Sequence, residues 1–259
     1  MIGALGRARV AAIALAALLP LRAAGAQDTT LPATVPAARP ALDGARLSPE
    51  RRVYQLTVLR GGLPTTVGER TVTVRDASHG GLPAWSIVEL RRVAAATSVD
   101  SAIVARGDLA PLHWEGTVAG ARLVAGVSRD TLYGVVASPA ARRSIAAGGV
   151  GGAVLNAAML EVMLPLMPLQ VGWSAPLALV VVDAAGARVV PAQLVVEREE
   201  SVQVPAGRFD CWVVTLRVMR ATRTLWVSRD GRGVVRSEER MPDIDGAVLE
   251  QALVATGRP

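Results

Sequence analysis

The sequence contains no lysine, a single cysteine and two histidines, and only 3% of it is aromatic. Each scarcity removes a class of explanation. One cysteine, Cys211, cannot form an internal disulfide, so the fold must rest on its apolar core. A lipid-anchored export signal needs a cysteine at its cleavage point, and Cys211 lies far from the N-terminus. Arginine carries every permanent positive side chain and is scattered, apart from pairs at Arg51-Arg52, Arg91-Arg92 and Arg142-Arg143. With so few aromatics, no basic stripe interleaved with stacking residues exists, which argues against nucleic acid as a partner. The arginine pairs read as solvated strand ends, with anionic headgroups as the lesser alternative. His79 and His113 stand in separate sequence contexts without neighbouring cysteine or carboxylate clusters. A structural metal site wants about four ligands at recognisable spacing. A P-loop, a dinucleotide fingerprint and a G-x-S-x-G elbow are all missing, so no cofactor is expected.

What is present begins with a secretory signal. Arg7 and Arg9 make a basic start, Val10 to Leu19 an apolar core, and Ala24-Gly25-Ala26 a small-x-small cleavage site before Gln27. The apolar run is too short to span a bilayer comfortably, so the mature protein is expected in the periplasm or outside the cell, without a transmembrane helix. The signal holds Arg7, Arg9 and Arg22 and no acid, so the mature chain keeps half of the +6 formal charge. Residues 27–47 read as a linker, with Pro32, Pro36 and Pro40 among small residues.

Residues 48–257 read as one β-rich domain. "RVYQLTVLR", "RTVTVRD" and "WSIVELRRV" are broken by Gly61-Gly62 and by Gly80-Gly81 with Pro83. This rhythm of strand and turn predicts an antiparallel meander over about 52–145. A second meander, about 174–256, includes "LALVVVD" and "ARVVPAQLVVERE" around Ala184-Ala185-Gly186; Pro191 marks an edge strand or a bulge. An internal echo supports the two-meander layout: "IVARGDLAPLHWE" aligns without gaps on "WVSRDGRGVVRSE". The fold class expected is mainly β, an antiparallel meander forming an open or half-closed barrel around one central apolar helix.

That helix is predicted over Ala153 to Leu164, after a glycine-rich lead and before Pro165 and Pro168. Only Asn156 and Glu161 interrupt its apolar surface, so it should be buried nearly all round. Glu161 and the prolines argue against a membrane span. Met159, Met163 and Met167 recur at four-residue spacing and share a face. They are either core filling or the soft lining of an apolar pocket. The candidate lining is Leu155, Met159, Leu160, Met163, Leu166, Met167 and Trp212.

In "VPAGRFDCWVV", Pro205 and Gly207 encode a tight turn. In the strand that follows, Phe209, Cys211 and Val213 face one way, and Trp212, Val214, Leu216 and Val218 the other. Apolar residues on both faces mean a strand covered on both sides. Cys211 therefore reads as a buried small hydrophobe, with a free thiol for an intermolecular bond as the alternative.

This stretch, with "TLWVSRDGRGVVRSEE" and "GAVLEQALV", resembles a domain-of-unknown-function family of exported bacterial proteins, which is similar to the LolA/LolB lipoprotein carriers and other outer-membrane lipoprotein-sorting-like proteins. The clearest match spans about Val202 to Val254. The resemblance implies an open or half-closed barrel around helical segments, with an apolar concave face that in such relatives holds acyl chains. This chain departs from the carriers in having one helix where they tend to have several.

The leading expectation is a non-enzymatic envelope protein that binds a lipid-like or acylated ligand in a β-cradle. The alternative is an interaction or structural module that docks an envelope protein partner. A remote alternative is a hydrolase of aspartic-protease type, suggested by Asp100 in "SVDSAIV", for which "VVVDAAGA" is a poor second copy.

Overall fold

The computed structural model describes residues 41–118, 120–183, 186–219, 221–241, 244 and 246–259. The signal, the linker as far as residue 40 and part of the Ala184-Ala185-Gly186 turn lie outside the described residues. The end of the stretch read as linker belongs to the domain: Leu42 and Gly44 are buried. The Gly44 carbonyl accepts the indole N–H of the buried Trp85 at 2.9 Å.

The chain runs β1 (Glu50–Arg60), β2 (Leu63–His79), β3 (Leu82–Val93), β4 (Ala96–Ala105), β5 (Pro111–Val118), β6 (Ala121–Ser128), β7 (Thr131–Ala137) and β8 (Arg142–Gly148). Helix α1 (Ala157–Met163) follows, then β9 (Ser174–Asp183), β10 (Gly186–Val204), β11 (Gly207–Val218), β12 (Ala221–Ser228), β13 (Val234–Arg240) and β14 (Val248–Gly257). All 14 strands form one antiparallel sheet in the order β8-β7-β6-β5-β4-β3-β2-β1-β14-β13-β12-β11-β10-β9. Except for β8 and β9, each strand pairs with its sequence neighbours, and β1 with β14 joins the two meanders. Two-residue Gly-Gly turns at 61–62 and 80–81, all four at positive φ, match the twist of the hairpins they close.

The sheet curls but does not close, because β8 and β9 do not pair with each other. Exposed edges invite unwanted pairing, and here the β9 edge is covered in part. Val154 bridges the free side of β9, donating to Ala178 O at 2.8 Å and accepting from Val180 N at 2.9 Å. Arg143 on β8 reaches the Asp183 carbonyl at 2.5 Å. Pro191 sits where β10 pairs only with β9, so its missing N–H interrupts no ladder.

The two meanders share one side-chain arrangement. On β3, Trp85 lies opposite Asp76 of β2 and Val104 of β4. On β11, Trp212 lies opposite Glu199 of β10 and Val227 of β12. The arginine two residues beyond that valine, Arg106 or Arg229, stacks on the tryptophan at 4.4 or 4.7 Å and pairs with the acid. Arg106 and Arg229 are the arginines that coincide in the sequence echo, so the correspondence extends across three strands of each half.

The helix is shorter than its pattern predicts. Asn156 caps it by accepting the Met159 N–H at 2.8 Å, so it begins at Ala157 rather than Ala153. Val154 is extended instead, its backbone groups spent on β9. A 3-10 turn, Leu164–Leu166, continues from Met163 and carries Pro165 in its first positions, where a missing N–H costs nothing.

The β10–β11 hairpin answers the expectation for Val204 to Val214. Its tip folds back on β14, Ala206 donating to Leu253 O at 3.0 Å, and Phe209, Cys211, Val213 and Val214 are all buried. Burial pushes the Cys211 thiol up to about 12. We expect a thiol reagent to label Cys211 about a thousandfold more slowly in the native protein than in denaturant, since the thiolate is the reactive species. Comparable rates would place the thiol at the surface.

Gly68 marks a position with no room for a side chain. It lies opposite Leu56, where the β1–β2 register shifts, and a Cβ there would sit 1.9 Å from the Arg92 carbonyl. Gly68→Ala must part β2 from β3, and urea unfolding should register a loss of about 1–3 kcal/mol.

Candidate functional site

The concave side of the sheet is filled by α1 and its flanks. Leu155, Met159, Leu160, Met163 and Met167 are buried, while Leu166 and Trp212 are half-buried. Five of the seven belong to the main apolar core, which takes in most of the domain, and Leu166 and Trp212 pack against it. Their side chains fill that region. Two surface depressions, of about 200 and 410 Å³, are lined by Glu199, Asp210 and Arg229 and by Gln55, Gln203 and Glu250 among others, and neither includes one of the seven.

Next to this apolar mass lies a charged layer that the sequence did not announce. Glu161 projects from α1 between two arginines. Its Oε2 accepts from Arg70 Nη1 on β2 at 2.7 Å, and its Oε1 from Arg223 Nη2 on β12 at 2.6 Å. Arg70 also donates to Glu89 on β3 at 2.7 Å and to the Gln251 amide oxygen on β14 at 3.0 Å. Arg91 pairs with the other oxygen of Glu89 at 2.7 Å, and Arg223 donates to Ser237 Oγ at 3.0 Å. Every one of these side chains is buried. Beyond them a second small core of Leu56, Val93, Met241, Ala247 and Leu249 covers the same end of the sheet. The charges thus form a layer between two apolar ones.

The electrostatics follow from this arrangement. Burial alone would raise the carboxyl pKa of Glu89, but Arg70 and Arg91 outweigh it and hold Glu89 down at about 2. Glu161 is likewise lowered against its burial, by Arg70 and Arg223. Glu239 has no such partners at bonding distance among the described residues, and burial raises it. Asp100 on β4 lies directly opposite Glu89 and accepts from Trp114 Nε1 at 3.0 Å and from Asn156 Nδ2. Burial, and then the Glu89 charge, push Asp100 up to about 6.

Asp100 therefore ties the helix cap to the sheet. Because its folded pKa exceeds its ordinary value, its contribution favours the fold below about pH 4 and is lost as pH rises through 6. Asp100→Asn keeps the accepting oxygen and removes the titration. Stability measured between pH 4 and 7 should lose a dependence on the order of 2 kcal/mol in this variant. An unchanged pH profile would show that Asp100 is not the titrating group.

The arginine pairs are not solvated as units. Adjacent strand residues face opposite sides of a sheet, so each pair must divide. Arg91 and Arg52 are buried while Arg92 and Arg51 are exposed; Arg143 is half-buried while Arg142 is exposed. The signal was available in the parity: Arg91 shares its face with Trp85, Ile87 and Glu89, all of them buried. The histidines also differ from expectation. His79 and His113 come together with ring centroids 5.9 Å apart, and His113 Nε2 lies 3.1 Å from Glu115 Oε1. Curvature of the sheet brings them into contact, which linear spacing could not reveal. Among the described residues, no group of three His, Cys, Asp or Glu side chains is arranged to hold a metal ion. Asp183, the second acid weighed for protease chemistry, is paired with Arg188.

Fold and site together define an open β half-barrel with a short helix plugged into its concave face. The chain belongs to a family of proteins of unknown function, DUF3108, which it matches over residues 53–248. This agrees with the domain-of-unknown-function family expected from the β11–β14 motifs. No curated protein matches the chain. Among solved structures it is similar to a beta-barrel-like protein of domain of unknown function DUF1849 from Brucella abortus, with 15% identity, a TM-score of 0.55, and coverage of 83% of this chain and 99% of that one. It is more loosely similar to a protein of YmcC-like fold from Bacteroides fragilis (12% identity, TM-score 0.37, coverage 84% and 100%). A hypothetical lipoprotein, YmcC, from Escherichia coli K12 stands at 12% identity, TM-score 0.31 and coverage 83% and 88%. Of these three, the Brucella protein is near enough to share the fold, and at that identity it shares the fold alone. Among the described residues no helix is long and apolar enough to cross a membrane.

Proposed function

We propose that this is an exported, non-enzymatic envelope protein that binds a lipid-like or acylated ligand in the concave face of its half-barrel. The observation that supports this reading is the helix itself. An open sheet of 14 strands has its concave side filled by one seven-residue helix rather than by a second sheet. That helix lies between a glycine-rich lead, Gly148 to Gly152, and the prolines at 165 and 168. For the helix to move, the lead must release the bonds of Val150 and Gly151 to Asp130 and those of Val154 to β9. Displacing the helix would uncover an apolar surface made of the Met159 and Met163 neighbours. Export rests on the signal at residues 1–26, and N-terminal sequencing of the secreted form should find Gln27 first.

An interaction module is the second reading, favoured by Leu63 and Leu82, which stand 74% and 67% exposed beside the Gly61-Gly62 and Gly80-Gly81 turns. Native mass spectrometry of protein purified from its own envelope separates the two. A co-purifying lipid and saturable binding of a fluorescent fatty-acid probe support the cradle. A stoichiometric polypeptide, with no probe binding, supports the module.

A further inference from the structure

We infer that Arg70 and Arg223 form a seat for the carboxylate head of an acidic amphiphile, and that Glu161 of α1 occupies this seat as an internal stand-in until the ligand displaces the helix. The inference rests on the ligand-binding reading above and specifies the chemistry of the ligand.

The seat is built by the sheet, not by the helix. Arg70 is fixed by Glu89 and Gln251, and Arg223 by Ser237, residues of β3, β14 and β13. Both guanidiniums therefore retain partners on the sheet when Glu161 leaves. Each carboxylate oxygen of Glu161 has its own guanidinium, at 2.7 and 2.6 Å, the geometry that any other carboxylate would reproduce. Charge balance demands a replacement. Arg70, Arg91 and Arg223 face Glu89 and Glu161; with Glu161 withdrawn, only Glu89 remains among the paired acids. The Nε atoms of Arg70, Arg91 and Arg223 are also buried without a hydrogen-bond partner, leaving donors in hand on all three arginines.

The surroundings supply the other half of an amphiphile's needs. Leu160 and Val162 flank Glu161 in sequence, and Met159 and Met163 lie one half-turn away, all buried. Withdrawal of the helix thus opens apolar space next to the charged seat. Stability alone does not account for the arginines. Buried ion pairs seldom stabilise more than apolar residues of the same volume.

The test compares decanoate with decanol, below micellar concentrations, by displacement of a fluorescent probe from the wild type and from Glu161→Gln. The variant retains the shape of the side chain and frees the positive seat. Decanoate should bind Glu161→Gln about tenfold or more tightly than wild type, and decanol should be unchanged, because a charge-assisted contact is gained by the acid alone. Arg223→Gln should abolish the preference for decanoate. Should Glu161→Gln fail to fold in buffer, decanoate should restore its cooperative thermal transition and decanol should not. Equal binding of acid and alcohol in both proteins, or absence of restoration, overturns the seat while leaving the apolar cradle standing. No saturable binding of either compound by any folded form removes the seat and the ligand-binding reading together.

Discussion

Replacing Arg70 with methionine is expected to lower the unfolding free energy at pH 7 by about 3–5 kcal/mol, the usual consequence of removing one partner from a buried ion pair. Arg70 is 1% exposed and bonds to Glu161, Glu89 and Gln251 at once. Without it, two buried carboxylates each lose a guanidinium, and the amide of Gln251 loses its donor. The loss should depend on pH in a defined direction. In the wild type, Glu89 is held at about 2, below its ordinary range, so its contribution to stability is present above about pH 4.5 and vanishes as pH falls toward 2. Arg70→Met raises that folded-state pKa. The gap between wild type and variant should therefore be widest near neutrality and narrow in acid. Urea unfolding at pH 7 and pH 4 measures both quantities. A loss below about 1 kcal/mol, as for an exposed pair, would show that water screens the layer.

The second large effect concerns Met163. Its side chain is fully buried in the cluster that joins α1 to the sheet. Met163→Ala should cost about 2–5 kcal/mol, combining lost transfer free energy with the cavity left behind. If α1 moves to admit a ligand, the same truncation enlarges the site and alters the affinity for a fluorescent fatty-acid probe. If Met163 is only core, stability falls and probe behaviour does not change. Measuring unfolding and probe affinity on one preparation separates the two roles.

Much of the architecture was legible because hairpin β proteins write their topology locally. Gly-Gly turns close two of the hairpins, and each run of alternating residues makes one strand. Met159, Leu160 and Met163 enter the main core because an almost wholly apolar helix can only turn inward. The N-terminal boundary of that helix was misplaced because Ala153 and Val154 sit in a run that suits a helix by its composition. The Val154 backbone is taken instead by β9, a partner remote in sequence.

The sequence by itself determined the class of fold, the meander rhythm, the buried cysteine strand and the apolar character of the plug. These depend on side-chain periodicity and turn chemistry within a few residues of one another. Only the tertiary structure decided that Arg70, Glu89, Arg91, Glu161 and Arg223 meet in one buried layer. Strand parity can place an arginine on the buried face, but nothing local names a partner that lies 91 residues away. The curl of the sheet brings such partners into contact, and the low polarity inside it strengthens the attraction between their charges.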